Sequence, residues 1–414
     1  MPDPRSAASA PNGATASTVT GASSAAIASS AAIASSAAIG HRLFIQRQQL
    51  AQARLGPDPD APAARSLRPG EVRLAIDHFA LTANNITYAA FGEAMKYWQF
   101  FPAPDAGEGC LPVWGFATVA ESLNEGMATG RRVWGYFPAG THLVVTPGRL
   151  NAAGFSDTAS HRAELAAVYN HYSCCDADPG WQPALEGLQA VLRPLFITSF
   201  LIDDFLAEAG GFGATQVLLS SASSKTAFAT AFCLAQRRGQ PGALRVVGLT
   251  SAGNADFVRS LGCYDEVRLY DELPLPNAKV QSVYVDFAGN AGLRRAVHEH
   301  FAGTLAYSCS VGGTHWEALA APGSSAGLPG PRPTLFFAPA QMKKRSAPPP
   351  QGWGRADLES RVAAAWTDFV AAATSSTPWV QISERRGAQA VLQAYAEVLA
   401  GRSNARQGLM LSLA

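Results

Sequence analysis

The stretch Gln216-Val217-Leu218-Leu219-Ser220-Ser221-Ala222-Ser223-Ser224-Lys225-Thr226-Ala227 decides the fold. Gln216–Leu219 reads as a short β run, the small residues after it as a tight turn, and the Ala- and Phe-rich Thr226–Arg238 as a helix. A strand, turn and helix in that order present backbone N–H groups and a helix N-terminus to a phosphate. Glycines normally occupy such a turn so that the backbone can approach a pyrophosphate. Here Ser221, Ser224 and Ala227 stand at those positions. Small side chains still permit the approach, and the hydroxyls of Ser221, Ser223 and Ser224 add donors. Ser224-Lys225-Thr226 also looks like the end of a GxxxxGK[ST] loop, but Leu219 and Ser224 replace both glycines, which argues against it. An ordinary strand–turn–helix junction is the plain alternative. Gly210-Gly211-Phe212-Gly213 precedes the strand and reads as a turn into it.

The same grammar continues outward. Thr198–Ala209 has helical spacing ahead of the turn. After it come strands at Arg245–Leu249, Val267–Tyr270, Ser282–Asp286 and Ala306–Val311, with helices at Ala255–Leu261 and Leu293–Phe301. Alternation with short loops implies a parallel, doubly wound α/β sheet. Its second strand ends Thr250-Ser251, where a domain specific for a free ribose 2′-hydroxyl places an acid. With no acid there, a 2′-phosphate is not repelled, and Lys225 is the nearest cation to meet it.

Before residue 190 the pattern is different. Glu71–Leu81, ending in the polar loop Thr82–Asn85, is followed by short β runs at Val113–Glu121, Arg132–Tyr136 and Thr141–Thr146, which suggests a mostly β lobe. Residues 151–190 carry Tyr169, His171, Tyr172, Cys174, Cys175 and Trp181 and read either as a lid or as packing. Ala318–Pro333 and Ser346–Gly354 are Pro/Gly/Ser-rich connectors around a strand at Thr334–Phe337. A helix at Ala356–Ala373, a strand at Trp379–Ser383, a helix at Ala388–Leu399 and a strand at Gly408–Leu413 close the chain. The expected divisions are a disordered tail at 1–40, a lobe at 41–190 with an insertion at 151–190, a nucleotide domain at 191–345, and a return to the first lobe at 346–414.

Composition narrows the function. The 32 Lys+Arg balance 31 Asp+Glu, which leaves no basic field for nucleic acid, and 48% hydrophobic residues suit an enzyme-sized core. The 1–40 stretch repeats a six-residue unit three times and has Arg5 as its one cation, unlike a presequence. No apolar run is long enough to span a membrane. The six cysteines have no zinc-ligand spacing, and Cys233 and Cys263 lie in apolar stretches, as in a reducing cytoplasm.

Glu71–Gly92 with Trp114–Leu150, then Thr198–Tyr270, Val283–Asn290 and Tyr307–Gly313, resembles the medium-chain dehydrogenase/reductases over residues 41–414. The resemblance implies a GroES-like, mostly β lobe joined to a Rossmann domain. The catalytic Cys and Gly-His-Glu of the zinc enzymes and their four-Cys loop are missing, so the likeness is to the zinc-free quinone and enoyl reductases. Leu81–Gly92, Thr198–Phe205, Leu219–Thr226 and Phe336–Lys344 further resemble a bacterial and fungal subgroup without assigned function. In the zinc-free branch an Asn and a Tyr precede a Gly after the first long strand. Asn84 and Tyr88 before Gly92 look similar, with the Asn offset by about a residue, and Thr198 matches a cofactor-contacting Thr.

The resemblance implies NADP(H) across Leu219–Thr226, with the nicotinamide near Thr198, Tyr88 and Gly312. It also implies a small-molecule substrate, no metal, and a homodimer in which Thr334–Phe337 pairs across the interface. Tyr88 is read as the proton donor, against a core aromatic. His315 either faces the nicotinamide or lies on the surface; His78 and His142 read as structural; Asp286 reads as a turn cap; Lys343-Lys344-Arg345 reads as solvated charge. The expected function is an NADPH-dependent reductase. Its rivals are a non-catalytic binding protein and a lyase or isomerase on the same scaffold.

Overall fold

The computed structural model describes residues 40–272, 277–311 and 327–414. The expectations for the tail at 1–39, for Gly312 and for His315 lie outside these residues.

The quoted stretch forms the centre of a six-stranded, wholly parallel sheet. Its order is Glu266–Leu269, Arg245–Thr250, Gln216–Leu219, Ser282–Asp286, Leu305–Ser310 and Thr334–Leu335. By chain order that is 3-2-1-4-5-6, so the order reverses between Gln216–Leu219 and Ser282–Asp286, where a doubly wound sheet opens its crevice. Both faces are covered. Val217 and Leu219 join the core that holds Phe228 and Ala231 of the helix Lys225–Ala235, while Leu218 packs with Leu293, Val297 and Phe301 of the opposite face. Burial on both faces explains a continuous apolar run in place of alternation. Gly248 lets the Tyr264 ring lie on the second strand; a Cβ there would meet that ring at 2.7 Å.

A nine-stranded, largely antiparallel sheet and a three-stranded one make the other half. The last strand, Gln407–Ser412, pairs parallel with Gln381–Arg386 and antiparallel with Val72–Leu81, so the chain end is built into the first sheet. Residues 151–190 contribute to the sheet as well, through Gly154–Asp157 and His171–Cys174. All six cysteines are buried and free.

Three expectations change. The helix expected from Thr198 starts at Glu186 and runs to Glu208, through the expected boundary near residue 190. Pro194 argues for a break there, but Leu188, Val191, Leu192, Leu195 and Phe196 are all buried on one continuous face, and packing overrides the local signal. The polar stretch after Leu81 is the start of a helix, Ala83–Ala90. Lys343-Lys344-Arg345 is not simply solvated. It ends a helix, Ala338–Ser346, and Arg345 makes a bidentate bond to Asp204 at 2.7 and 2.9 Å, while Lys344 pairs with Glu208 at 2.7 Å.

Candidate functional site

Helix Ala83–Ala90 begins where strand Val72–Leu81 ends. Asn85 Oδ1 accepts from Thr82 N at 2.7 Å, and its Nδ2 donates to Pro112 O at 2.9 Å, so this asparagine is spent on the cap. Asn84 and Tyr88 then lie one turn apart on the same side of the helix. The pair singled out from sequence is therefore brought together by a helix.

Tyr88 faces an aromatic cluster. Trp114 and Tyr136 are opposite one another on neighbouring strands, and Trp134, two residues before Tyr136, stacks on Trp114 at 4.8 Å. Tyr169 packs 4.7 Å from Tyr136, and Tyr97 4.7 Å from Tyr88. Trp114 Nε1 donates to the Tyr88 oxygen at 3.3 Å, and the Tyr97 and Tyr169 hydroxyls are 3.4 Å apart. Tyr136 Oη and Trp134 Nε1 are buried without a partner. Burial first, and the neighbouring Tyr97 second, raise the Tyr88 pKa, against the hydrogen bonds from Trp114, Asn84 and Tyr169 that lower it. Tyr88 is thus a protonated hydroxyl at any physiological pH. Of these residues only Tyr88 and Asn84 were read as site residues from sequence; the alternation Trp114/Phe116 and Trp134/Tyr136 was the available signal for a shared aromatic face.

The turn is held from below. Ser220 Oγ donates to Asp286 Oδ1 at 2.9 Å and accepts from Phe287 N and Ala288 N, and Asp286 Oδ2 accepts from Arg294 Nε at 2.9 Å. Asp286 caps the following turn as expected and also anchors this one. Ser221 takes a left-handed φ of +50°, the conformation that favours glycine, and its N–H donates to Tyr270 Oη at 3.1 Å. Ser224 is the N-cap, accepting from Ala227 N at 3.4 Å. Ser223, Lys225 and Thr226 are half-buried. Lys225 Nζ donates to Ala405 O at 3.2 Å, turned toward the C-terminal loop, and burial lowers its pKa to about 8.

Thr198 donates to Pro194 O within its own helix, and its neighbour Ser199 lies 2.8 Å from Thr226 O. At the ribose end the expectation needs correcting: Thr250 is fully buried, whereas Ser251 is partly exposed and accepts from Asn254 Nδ2 at 3.1 Å. A strand's last side chain turned into the sheet's packing cannot meet a ligand.

A separate groove of about 450 Å³ shares none of these residues. His78, Glu186, Ile382, Arg385, Met410 and Ser412 line it. There Glu186 accepts from Arg132 Nε and Nη2 at 2.5 and 2.6 Å, from Trp181 Nε1 at 2.9 Å, and lies 3.2 Å from His78 Nε2. Among the described residues, no group of three His, Cys, Asp or Glu is placed to hold a metal, and no helix is long and apolar enough to cross a membrane.

CurA from Vibrio vulnificus has a similar structure, with a TM-score of 0.53 at 10% identity, over 91% of this chain and 99% of that one. CurA solved with NADPH gives 0.50 at 11% identity, over 87% and 94%. The mycobacterial protein Rv1454c, also solved with NADPH, gives 0.50 at 11%, over 90% and 99%. No curated protein matches in sequence. At such identities the likeness establishes the fold alone, a GroES-like lobe with a Rossmann sheet. In sequence, residues 79–404 match the model of one family, and the chain belongs to it: the family described as a protein of unknown function, DUF2855.

Proposed function

We propose that the protein is an NADP(H)-dependent, zinc-free reductase that transfers hydride to a quinone, an enone or enoyl compound, or another activated carbonyl. The observation that carries this reading is the helix Glu186–Glu208, which touches both halves of the candidate site. Arg193 lies over the Trp134 ring at 5.2 Å, and Ser199 meets Thr226 of the phosphate-facing helix. Six residues separate them, about 9 Å along the axis, so the aromatic cluster and the turn contact one and the same helix.

The residues present fit a dinucleotide's phosphates. The first N–H groups of helix Lys225–Ala235 have no intrahelical acceptor, and the Lys225 ammonium rests on a carbonyl and not on an acid. When bound, the nicotinamide group supplies the hydride. Ser223, Ser224, Lys225 and Thr226 would hold phosphate oxygens, and Ser251 the ribose end. Tyr88, kept protonated by burial, would donate to the substrate oxygen, with Asn84 and Trp114 orienting it. The domain divisions given above, a cytoplasmic location, and a homodimer through the edge strand Thr334–Leu335, beside the exposed Leu335 and Phe337, belong to the same reading.

One observation favours a second reading. Tyr270 already occupies the Ser221 N–H, which suits a non-catalytic, lyase or isomerase protein with altered dinucleotide binding. Tryptophan-fluorescence titration with NADPH and NADH, together with turnover of 1,4-benzoquinone, separates the two. Binding with turnover supports the reductase, and Tyr88→Phe should then slow turnover by about 10²–10⁴-fold while leaving cofactor affinity unchanged. Absence of affinity for both cofactors supports the second reading.

A further inference from the structure

The segment between strands Gly154–Asp157 and His171–Cys174 is fastened at two points. Arg162 is buried and donates to Phe100 O and to Tyr172 Oη, both at 3.1 Å, with Asp157 3.2 Å away. Asn170 is buried too, and its Nδ2 donates to Arg162 O at 3.1 Å, which ties the two ends together. Between them Leu165 N donates to Arg162 O and Tyr169 N to Ala166 O, bonds that stay inside the loop. Leu165 is tucked in, whereas Ala163, Glu164 and Ala167 are exposed. A short loop with clasped ends and internal bonds can move as one piece.

Tyr169 is what this loop brings to the aromatic cluster. Its ring lies 4.7 Å from Tyr136, 5.4 Å from Phe100, 5.7 Å from Tyr97, 6.1 Å from Trp114 and 6.2 Å from Tyr88. It therefore fills a place with aromatic walls on several sides. Those five rings are all buried, and Tyr169 alone of the six is partly exposed. With Tyr88 only 6% exposed, no molecule of substrate size reaches its hydroxyl until a ring moves. The outermost ring, on the clasped loop, is the one placed to do so. The Tyr169 phenol is a flat six-membered ring with an oxygen, and that oxygen lies 3.4 Å from the Tyr97 hydroxyl.

We propose that residues 163–169 form a lid, and that the Tyr169 ring occupies the subsite for the ring of the substrate, a flat phenol- or quinone-type ring and not an open enoyl chain. The ring enters as Tyr169 swings out. It packs among Tyr136, Phe100 and Trp114, and its oxygen takes over the Tyr97 hydroxyl. A flat ring restores the face and edge contacts that Tyr169 gives up, and a chain does not. This deepens the reductase reading and rests on it for the reaction that follows; the binding step stands by itself.

The probe is 4-fluorophenol, a flat ring with one oxygen, followed by fluorine NMR. It is titrated into the full chain and into Tyr169→Ala and Tyr169→Phe, with melting temperatures to check the fold. A lid that is mostly closed weakens apparent affinity by the fraction of time it is open. Tyr169→Ala should therefore bind at least about tenfold more tightly than the parent, and Tyr169→Phe, which keeps the ring, within about threefold of it. Adding Tyr97→Phe to Tyr169→Ala should weaken 4-fluorophenol by about three- to tenfold and leave fluorobenzene, which has no oxygen, unchanged. On the unaltered chain, saturating probe should speed amide hydrogen exchange in 163–169, a readout that needs no variant to fold. Binding to Tyr169→Ala but not to the parent marks an engineered cavity only and overturns the assignment. Equal affinity in the two, or exchange that does not rise, overturns it as well. A parent that binds 4-fluorophenol as expected but has no affinity for NADPH keeps the lid and removes the reductase reading. NADPH binding with turnover of an enone, and no affinity for 4-fluorophenol, removes the lid assignment alone.

Discussion

Lys225 Nζ lies 3.2 Å from the main-chain oxygen of Ala405, and no carboxylate is within ion-pair distance of it among the described residues. Burial without a counter-ion pulls its pKa from 10.5 to about 8. The folded chain therefore holds this proton less tightly than the unfolded one, and the group opposes folding at neutral pH. Its cost fades as pH rises from about 8 to 10.5. Lys225→Met should stabilise the cofactor-free protein at pH 7 by about 1–2 kcal/mol, with less gain at pH 10. The same variant should bind NADPH at least about tenfold more weakly. Urea titrations at the two pH values and a fluorescence titration check both signs; a variant that loses stability at pH 7 would show that the ammonium is not desolvated.

On the proposed reading, cofactor preference rests on Ser251, the partly exposed residue at the ribose end. With no acid there, NADPH should bind more tightly than NADH by at least about tenfold. Ser251→Asp should reverse the order by repelling the 2′-phosphate and accepting from a free 2′-hydroxyl. The corresponding change at Thr250 would bury a charge and should instead lower the melting temperature. Equal dissociation constants for the two cofactors in the parent would remove the preference.

Acid sensitivity should centre on Glu186. Burial raises its pKa, but the hydrogen bonds from Arg132, His78 and Trp181 outweigh that and hold it at about 2, below the ordinary 4.5. A lowered carboxylate stabilises the fold above about 4.5 and loses that contribution as pH falls through 2. Glu186→Gln should cost about 3 kcal/mol at pH 7 and flatten the pH dependence of stability between those values. Parallel stability curves for parent and variant across that window would refute the assignment.

The Arg345–Asp204 pair ties helix Ala338–Ser346 to helix Glu186–Glu208, and the guanidinium also lies 4.6 Å over the Trp353 ring. Both side chains are largely buried. Arg345→Ala should lower stability by about 3 kcal/mol, because it leaves Asp204 without its bidentate partner. A loss under half a kcal/mol in denaturant unfolding would return this run to the solvated charge its composition suggests.

What the residues determine locally was legible. Gln216–Leu219, Ser282–Asp286 and Ala388–Leu399 form as read, and the alternation around them is enough to imply the parallel sheet. Hydrophobic period and turn chemistry act over a few residues, so they survive in a single sequence. Asn84 and Tyr88 were legible for the same reason, being one helical turn apart, although the resemblance was needed to notice them.

Direction and long-range company were decided only by the tertiary structure. Tyr88, Tyr97, Trp114, Trp134, Tyr136 and Tyr169 become one cluster because two strands pair in a particular register, which one residue of slip would turn to the other face, and because three helical segments from elsewhere in the chain pack on that face. Lys225 Nζ meets the main-chain oxygen of Ala405 because folding brings the C-terminal loop beside the turn. Thr250 and Ser251 are chemically almost alike and adjacent, yet packing buries the one and exposes the other. Side-chain chemistry is written in the sequence, but which way each side chain points depends on neighbours that folding alone supplies.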